Sequence, residues 1–364
     1  MTQPAPDAPI RVLVVDDSAL VRSILRRGLE AAGGIEVVGA AQNPYEARDL
    51  LVSLRPDVVT LDVEMPRMDG IRFLDRYMTV LPTPTIVLSS LTPRGSMLAM
   101  QALEAGAVEV LCKPSAGVAD GLERMMSDLV ARVRVAAVTR VGVKERPVER
   151  PADRPQGALD ETTDKVIAFG ASTGGVAALG RILPAFPPWT PGIVVVQHMP
   201  EGFTRAFAER MDHDCAMRVS EARDGDRVLA GHILVAPGGQ RHTEVHRVGG
   251  QYLVRLVDRP RVQGHVPSVD VLFESLAVCA ARNATGCILT GMGADGAMGL
   301  LRMRGAGGRT LAQDRETSAV WGMPAAAHEV GAAERLVPLH EIPAAVLALA
   351  GTPLQSASAR SGTG

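Results

Sequence analysis

Short apolar runs alternate with stretches of helical period along the first part of this chain. Val12–Val15, Ile35–Ala41, Val58–Leu61, Thr85–Ser89 and Glu109–Cys112 read as strands. Between and after them, Ser18–Ala32, Pro44–Leu54, Gly70–Val80, a segment near Gly95–Ala105 and a last one from about Ala116 read as helices. Such strict alternation predicts a parallel sheet with helices on both faces. The segment Thr139–Thr163 breaks the pattern. It is rich in charge, holds three Pro and has almost no apolar period, so it reads as a solvated spacer. A second α/β pattern follows. The expected organisation is a first domain over 1–135, a linker over 136–163, a second domain over 164–350, and a Ser/Gly/Ala-rich tail over 351–364, expected to be disordered.

Composition agrees with two globular units. The chain has 364 residues and is 46% hydrophobic, enough for two cores. Its formal net charge of -2 offers nothing that would attract nucleic acid or an acidic membrane surface. The four Cys form no CxxC pair and have no zinc-finger spacing to His. There is no signal-peptide pattern, and no apolar stretch reaches the ~20 residues of a membrane helix. A soluble cytoplasmic protein without direct membrane insertion is expected.

Four strand ends of the first domain carry matching chemistry. Asp16 and Asp17 follow the first strand, Asp62 the third, and Lys113 the fifth, while Ser89 and Ser90 end the fourth. In a doubly wound sheet these loops share one edge. Carboxylates gathered there repel unless a cation joins them, and Mg²⁺ suits oxygen ligands. Asp62 is then a candidate phosphoryl acceptor, with Lys113 offsetting developing charge. VVDDS, LDVEMPRMDG, VLSS and CKPS resemble a response-regulator receiver domain, which implies a flavodoxin-like fold of five parallel strands. The resemblance makes Asp62 the phosphoacceptor, Asp16, Asp17 and Asp62 the Mg²⁺ ligands, Lys113 the phosphate's partner, and Ser89 (or Ser90) its sensor. Val110 stands where many receivers have an aromatic switch residue.

In the second domain, Val166–Ala171 reads as a buried strand that ends at Ser172, in the turn before Thr173-Gly174-Gly175. A β-branched run, Ile193–Val196, leads to His198, and a third apolar run from Cys287 leads to Asp295. A Ser, a His and an Asp at three strand ends suggest a nucleophile, its base and the group that orients the base. The Gly-rich turn also suits a bound phosphate, but GxGxxG spacing fails and no GK[ST] follows. Ser172 is not in GxSxG, and the order Ser…His…Asp differs from that of α/β-hydrolases. Backbone N–H groups near Met292 or Thr173 are candidates for an oxyanion hole. His213, His232, His242, His246, His265 and His328, and Asp270, compete for the acid–base roles. Ser268 reads as the N-cap of a helix over Val269–Cys279, with Asp270 in its first turn.

IAFGASTGG, VVVQHMP, FTRAFAERMD, APGGQRH, PSVDVLFESLA and LTGMGADGAMGL resemble the catalytic domain of the chemotaxis protein-glutamate methylesterases, the CheB family. That implies a doubly wound α/β methylesterase domain with a Ser172–His198–Asp295 triad and Met292 at the oxyanion position. It implies hydrolysis of glutamyl methyl esters on chemoreceptor cytoplasmic helices, releasing methanol, and deamidation of receptor glutamines. No cofactor serves the hydrolysis. The histidine kinase CheA is the implied phosphodonor, and phosphorylation of Asp62 would raise activity by a population shift. Rival readings are an output domain that only binds a partner, a DNA-binding output, and a hydrolase of small esters.

Overall fold

In the computed structural model the described residues are 8–65, 70–90, 92–113, 119–141, 148 and 165–351. They form two compact units. Most of the expected linker and tail lies outside the described residues, as do the MPRMDG residues 66–69 and Pro114 and Ser115 of CKPS.

The first unit runs β1 (Ile10–Val15), α1 (Ala19–Ala31), β2 (Ile35–Ala41), α2 (Pro44–Leu54), β3 (Val58–Asp62), α3 (Gly70–Val80), β4 (Thr85–Ser89), α4 (Pro93–Glu104), β5 (Glu109–Cys112) and α5 (Ala119–Ala136). The sheet is parallel in the order β2-β1-β3-β4-β5, the flavodoxin-like arrangement with its switch point between β1 and β3. Local chemistry sets the helix starts. Ser18 accepts from Val21 N–H, Asn43 from Tyr45 and Glu46, and Thr92 from Gly95. Pro at the first position of α2 and α4 costs no hydrogen bond. This is why α4 begins at Pro93, two residues before the sequence-based expectation. Val12, Val14, Ile86 and Leu88 pack against Leu25 and Leu129 on one face of the sheet. Each such side chain contributes roughly 1.5–3 kcal/mol on burial.

The second unit runs β6 (Val166–Ala171), α6 (Gly175–Ile182), β7 (Gly192–Gln197), α7 (Phe203–Asp214, of which 207–214 belong to this unit), β8 (Arg218–Glu221), β9 (His232–Val235), β10 (His242–Val248), β11 (Gln251–Val257), α8 (Val269–Cys279), β12 (Ala284–Ile288), α9 (Ala297–Gly305), β13 (Arg309–Gln313), α10 (Met323–Glu329), β14 (Arg335–Val337) and α11 (Ile342–Leu349). Seven strands make a parallel sheet in the order β14-β13-β12-β6-β7-β9-β8. Every residue of β6, β7 and β12 is buried, as expected for parallel strands covered on both faces. Chain order reverses between β6 and β12, so the crevice at their C-terminal ends is the switch point where such folds hold ligands. An antiparallel hairpin, β10–β11, precedes α8.

One close approach ties this framework to the crevice. Val269 opens α8 and wedges its side chain between two glycines, Gly170 of β6 and Gly296 before α9. A Cβ on either would collide with Val269 Cγ1. Gly296 also needs its positive φ of 93° to turn the chain into α9. The N-terminus of α8 is thereby pressed onto the ends of β6 and β12. No helix among the described residues is long and apolar enough to cross a membrane.

Candidate active site

At the edge of the first sheet, Lys113 Nζ donates to Asp16 Oδ2 at 2.9 Å and to Asp62 Oδ2 at 2.6 Å. Asp16 and Asp62 are buried, and Asp17 is exposed. The free ends of the carboxylates are fixed by the backbone. Ser18 N–H donates to Asp16 Oδ1 and Glu64 N–H to Asp62 Oδ1, each at 2.9 Å. Burial raises the Asp62 carboxyl above its ordinary value, and Lys113 only partly offsets it. Burial also works against the Lys113 ammonium, yet the paired carboxylates outweigh it and hold Lys113 charged. One oxygen each from Asp16, Asp17 and Asp62 lie within 4.8 Å of one another. This all-carboxylate donor set fits Mg²⁺.

Ser89 is buried, but its hydroxyl does not reach Asp62. It donates to Gly95 O at 2.9 Å and Glu64 Oε1 at 3.2 Å. Glu64 also accepts from Ser90 N–H at 2.5 Å and Ser90 Oγ at 2.9 Å. Burial would raise the Glu64 carboxyl, yet the Ser90 and Ser89 donors prevail and lower it. Glu64 is thus part of this edge, and the sequence reading passed over it. Its position two residues beyond Asp62 was the available signal. Val110 is buried in β5.

In the second unit, the β6–β7 ladder pairs Ala171 with Gln197, so Ser172 and His198 leave adjacent strands one register step later. The pairing is extended by His198 N–H donating to Ala171 O at 3.0 Å. Gln197 is buried and ties the two turns together, donating to Ser172 O at 2.9 Å. From β12, Asp295 reaches His198, with Oδ2 2.8 Å from Nε2. Three further donors converge on this buried carboxylate. Ser268 Oγ lies 2.6 Å from Oδ1, Val269 N 2.7 Å from Oδ2, and Asp270 N 3.1 Å from Oδ1. Asp295 therefore caps the N-terminus of α8 from outside the helix, where backbone dipoles favour an anion. Burial alone would raise its carboxyl, but His198, Ser268 and Val269 more than compensate, and it lies below its ordinary value.

The imidazole is oriented by this carboxylate. With Nε2–H donated to Asp295, the lone pair is on Nδ1, which is buried and has no hydrogen-bond partner among the described residues. The nitrogens are interchanged relative to the protease template, where Nδ1 faces the Asp. Ser172 makes no hydrogen bond to His198 here, although the expectation joined them. Such contacts commonly form only once substrate is bound.

Met292 follows directly on the β12 turn, and its backbone N–H donates to nothing among the described residues. Thr173 is buried and fixed by Thr290, whose Oγ1 donates to its carbonyl at 3.0 Å. Asp270 serves structure: its carboxylate takes Gly299 N–H at 2.6 Å and Gln263 Nε2 at 2.8 Å. Burial raises its carboxyl. Of the competing His, His232 pairs with Ser220 Oγ, and burial lowers its pKa. His242 is buried, bonded to Pro260 O and Ser268 N. His213 and His328 end helices, and His246 lies on β10. His265 stacks on His198, with ring centroids 3.8 Å apart and planes 6° from parallel. The reading of Ser268 as an N-cap holds, since it accepts from Val271 N–H. Its bond to Asp295 and the His265 stack escaped the sequence reading.

Two family descriptions match the chain: the response regulator receiver domain over residues 12–122 and CheB methylesterase over residues 167–346. It is 52% identical over 339 residues to protein-glutamate methylesterase/protein-glutamine glutaminase 2 of Pseudomonas aeruginosa, an alignment that spans 93% of this chain and 96% of that one. It is 54% identical over 344 residues to protein-glutamate methylesterase/protein-glutamine glutaminase 4 of Anaeromyxobacter dehalogenans, across 94% and 95% of the two chains. Among solved structures, the Thermotoga maritima CheB methylesterase catalytic domain superposes with a TM-score of 0.50 at 36% identity, covering 51% of this chain and 98% of its own.

Proposed function

The chain belongs to the CheB methylesterase family and is a receiver-bearing protein-glutamate methylesterase and protein-glutamine glutaminase of chemotaxis, and we propose that Ser172, His198 and Asp295 carry both reactions. The observation that supports this most is the buried Nδ1 of His198, left with a lone pair by Asp295, on a residue that follows Gln197 just as Ser172 follows its ladder partner Ala171.

The chemistry follows from that lone pair. Ser172 Oγ attacks the γ-carbonyl carbon of a glutamyl methyl ester while its proton passes to His198 Nδ1. Asp295 stabilises the imidazolium through Nε2–H. The tetrahedral oxyanion takes hydrogen bonds from the backbone at Met292, and Thr173 is the second candidate donor. The C–O bond to the methoxy group breaks, and the proton on Nδ1 leaves with it as methanol. Water then adds to the acyl-serine, giving its proton to Nδ1. Collapse releases glutamate and returns the proton to Ser172. With glutamine the leaving group is ammonia. No metal or organic cofactor enters this scheme.

In the receiver we propose Asp62 as the phosphoacceptor and CheA as donor, in the cytoplasm, where the methylated receptor helices would be met. A Mg²⁺ ion held by Asp16, Asp17 and Asp62 would supply charge neutralisation at the phosphoryl oxygens. Lys113 already lies against Asp62 to bind the phosphate. For the Ser89 hydroxyl to donate to it, its bonds to Gly95 O and Glu64 must open.

The test is methanol release from methylated receptor membranes with and without acetyl phosphate. Wild type is expected to speed up with the donor, and Asp62→Asn to show a stimulation ratio near one. A ratio as large in the variant as in wild type would put the acceptor elsewhere. Ammonia release from receptors carrying glutamine at the same sites should follow the same ratios.

A further inference from the structure

We propose that His265 is a positioning residue for the esterase reaction: its ring is a flat wall that holds the plane of His198 while Ser172 is unbonded. This rests on the triad reading above. One hydrogen bond, Nε2–H to Asp295, fixes one edge of an imidazole but not its rotation about that bond. The second natural restraint, a bond from Ser172 to Nδ1, is absent in this geometry. A parallel ring at 3.8 Å supplies the missing restraint. Rotation of His198 about χ2 would drive a ring edge into His265.

The wall is itself anchored. His265 lies in the segment between β11 and α8, where Val262 and His265 exchange backbone hydrogen bonds of 3.2 and 2.9 Å. Arg261 donates to Gly264 O at 3.0 Å. Gln263 holds a left-handed φ of 49° and donates to Asp270 Oδ2, in the first turn of α8. That turn is the one that grips Asp295 through Ser268, Val269 and Asp270. The carboxylate that orients His198 and the ring that flattens it are therefore mounted on one helix end.

A displaced base penalises the step that transfers the proton and leaves ester binding largely unaffected. Steady-state methanol release by the full chain, with acetyl phosphate present, separates these. His265→Ala is expected to lower kcat by about 10- to 100-fold with KM within about twofold of wild type. His265→Phe restores a flat ring without an ionisable nitrogen and should recover most of kcat. If His265→Ala melts early, His265→Leu is read instead, because it fills the space without a flat face. Equal loss in Phe and Ala would overturn the proposal in favour of an acid–base role for His265. Unchanged kcat in Ala, or in Leu where it is read, would remove His265 from the reaction altogether. Ser172→Ala run alongside keeps the two claims apart. If it matches wild type, the triad reading has failed. If it is inactive while every His265 variant is normal, only the wall has failed.

Discussion

Ser172→Ala is expected to lower methanol release from methylated receptor membranes by roughly 10⁴- to 10⁶-fold. The size follows from the role. Without Oγ there is no acyl-enzyme, and His198 has only water to deprotonate. What survives is the contribution of the oxyanion donors and of substrate binding, which typically remain worth about 10³–10⁴ over the uncatalysed reaction. The fold should be indifferent to the change. Among the described residues no hydrogen bond uses Ser172 Oγ, while the backbone bonds at this residue persist in Ala: N–H to Thr290 O, and the carbonyl taken by Gln197 and Gly175. The melting temperature is therefore expected to stay within a degree or so of wild type, and acetyl phosphate should restore nothing. A variant that still releases methanol at a tenth of the wild-type rate would mean that another nucleophile, or water directly, attacks the ester. Phosphonylating reagents give an independent readout, since they should label wild type at Ser172 and leave the variant unmodified.

Much of this was legible from strand ends. Buried parallel strands such as β6 and β7 are unbroken apolar runs, so their last residues stand out, and with them Ser172, His198, Asp62 and Lys113. Helix limits were readable wherever a cap residue and Pro coincide, as at Asn43-Pro44. At Thr92-Pro93 the same signal was underused. The spatial order of the second sheet was not readable. That β12 lies beside β6, bringing Asp295 next to residues about a hundred positions earlier, is a tertiary fact with no local mark. The hairpin β10–β11 was passed over although its turn, Gly249-Gly250, is a standard hairpin signal. Its strands mix charged residues and His with apolar ones, which blurs the period.

The supporting residues were harder still, for a physical reason. Ser268 was correctly assigned as an N-cap, which accounts for only one use of its hydroxyl. In the fold it both accepts from Val271 and donates to Asp295. A hydroxyl has a donor and acceptors, and sequence reveals only the local half. His265 carries no local pattern at all, because its significance is the ring it faces. Glu64 shows the same limit in the receiver, where its partners lie on the next strand.

Asp295→Asn is expected to lower kcat by about 10⁴-fold and, unlike Ser172→Ala, to destabilise the second unit. Asp295 accepts four hydrogen bonds, two on each oxygen: His198 and Val269 on Oδ2, Ser268 and Asp270 on Oδ1. An amide must place an NH₂ group on one side or the other. Toward Oδ2 it confronts Val269 N–H and forces His198 Nε2 to accept, which moves the imidazole proton to Nδ1 and removes the base. Toward Oδ1 it can be tolerated by Ser268, whose hydroxyl can turn, but not by Asp270 N–H. Either way a buried N–H loses its acceptor at about 1–3 kcal/mol, and α8 loses an anion at its N-terminus. About 2 kcal/mol would lower the melting temperature by roughly 4–8 °C. The pH dependence has a definite sign. The folded carboxyl lies below its ordinary value, so its stabilising effect is complete above the unfolded-state pKa, near pH 4. It fades as pH falls through the lower folded value. The stability gap between wild type and Asp295→Asn, followed by urea unfolding, should be constant near neutrality and narrow below about pH 4. A gap that widens in acid, or a variant as stable as wild type at neutral pH, would show that Asp295 is not held as the charged cap of α8. It would also remove the physical basis for the single tautomer that makes His198 a base.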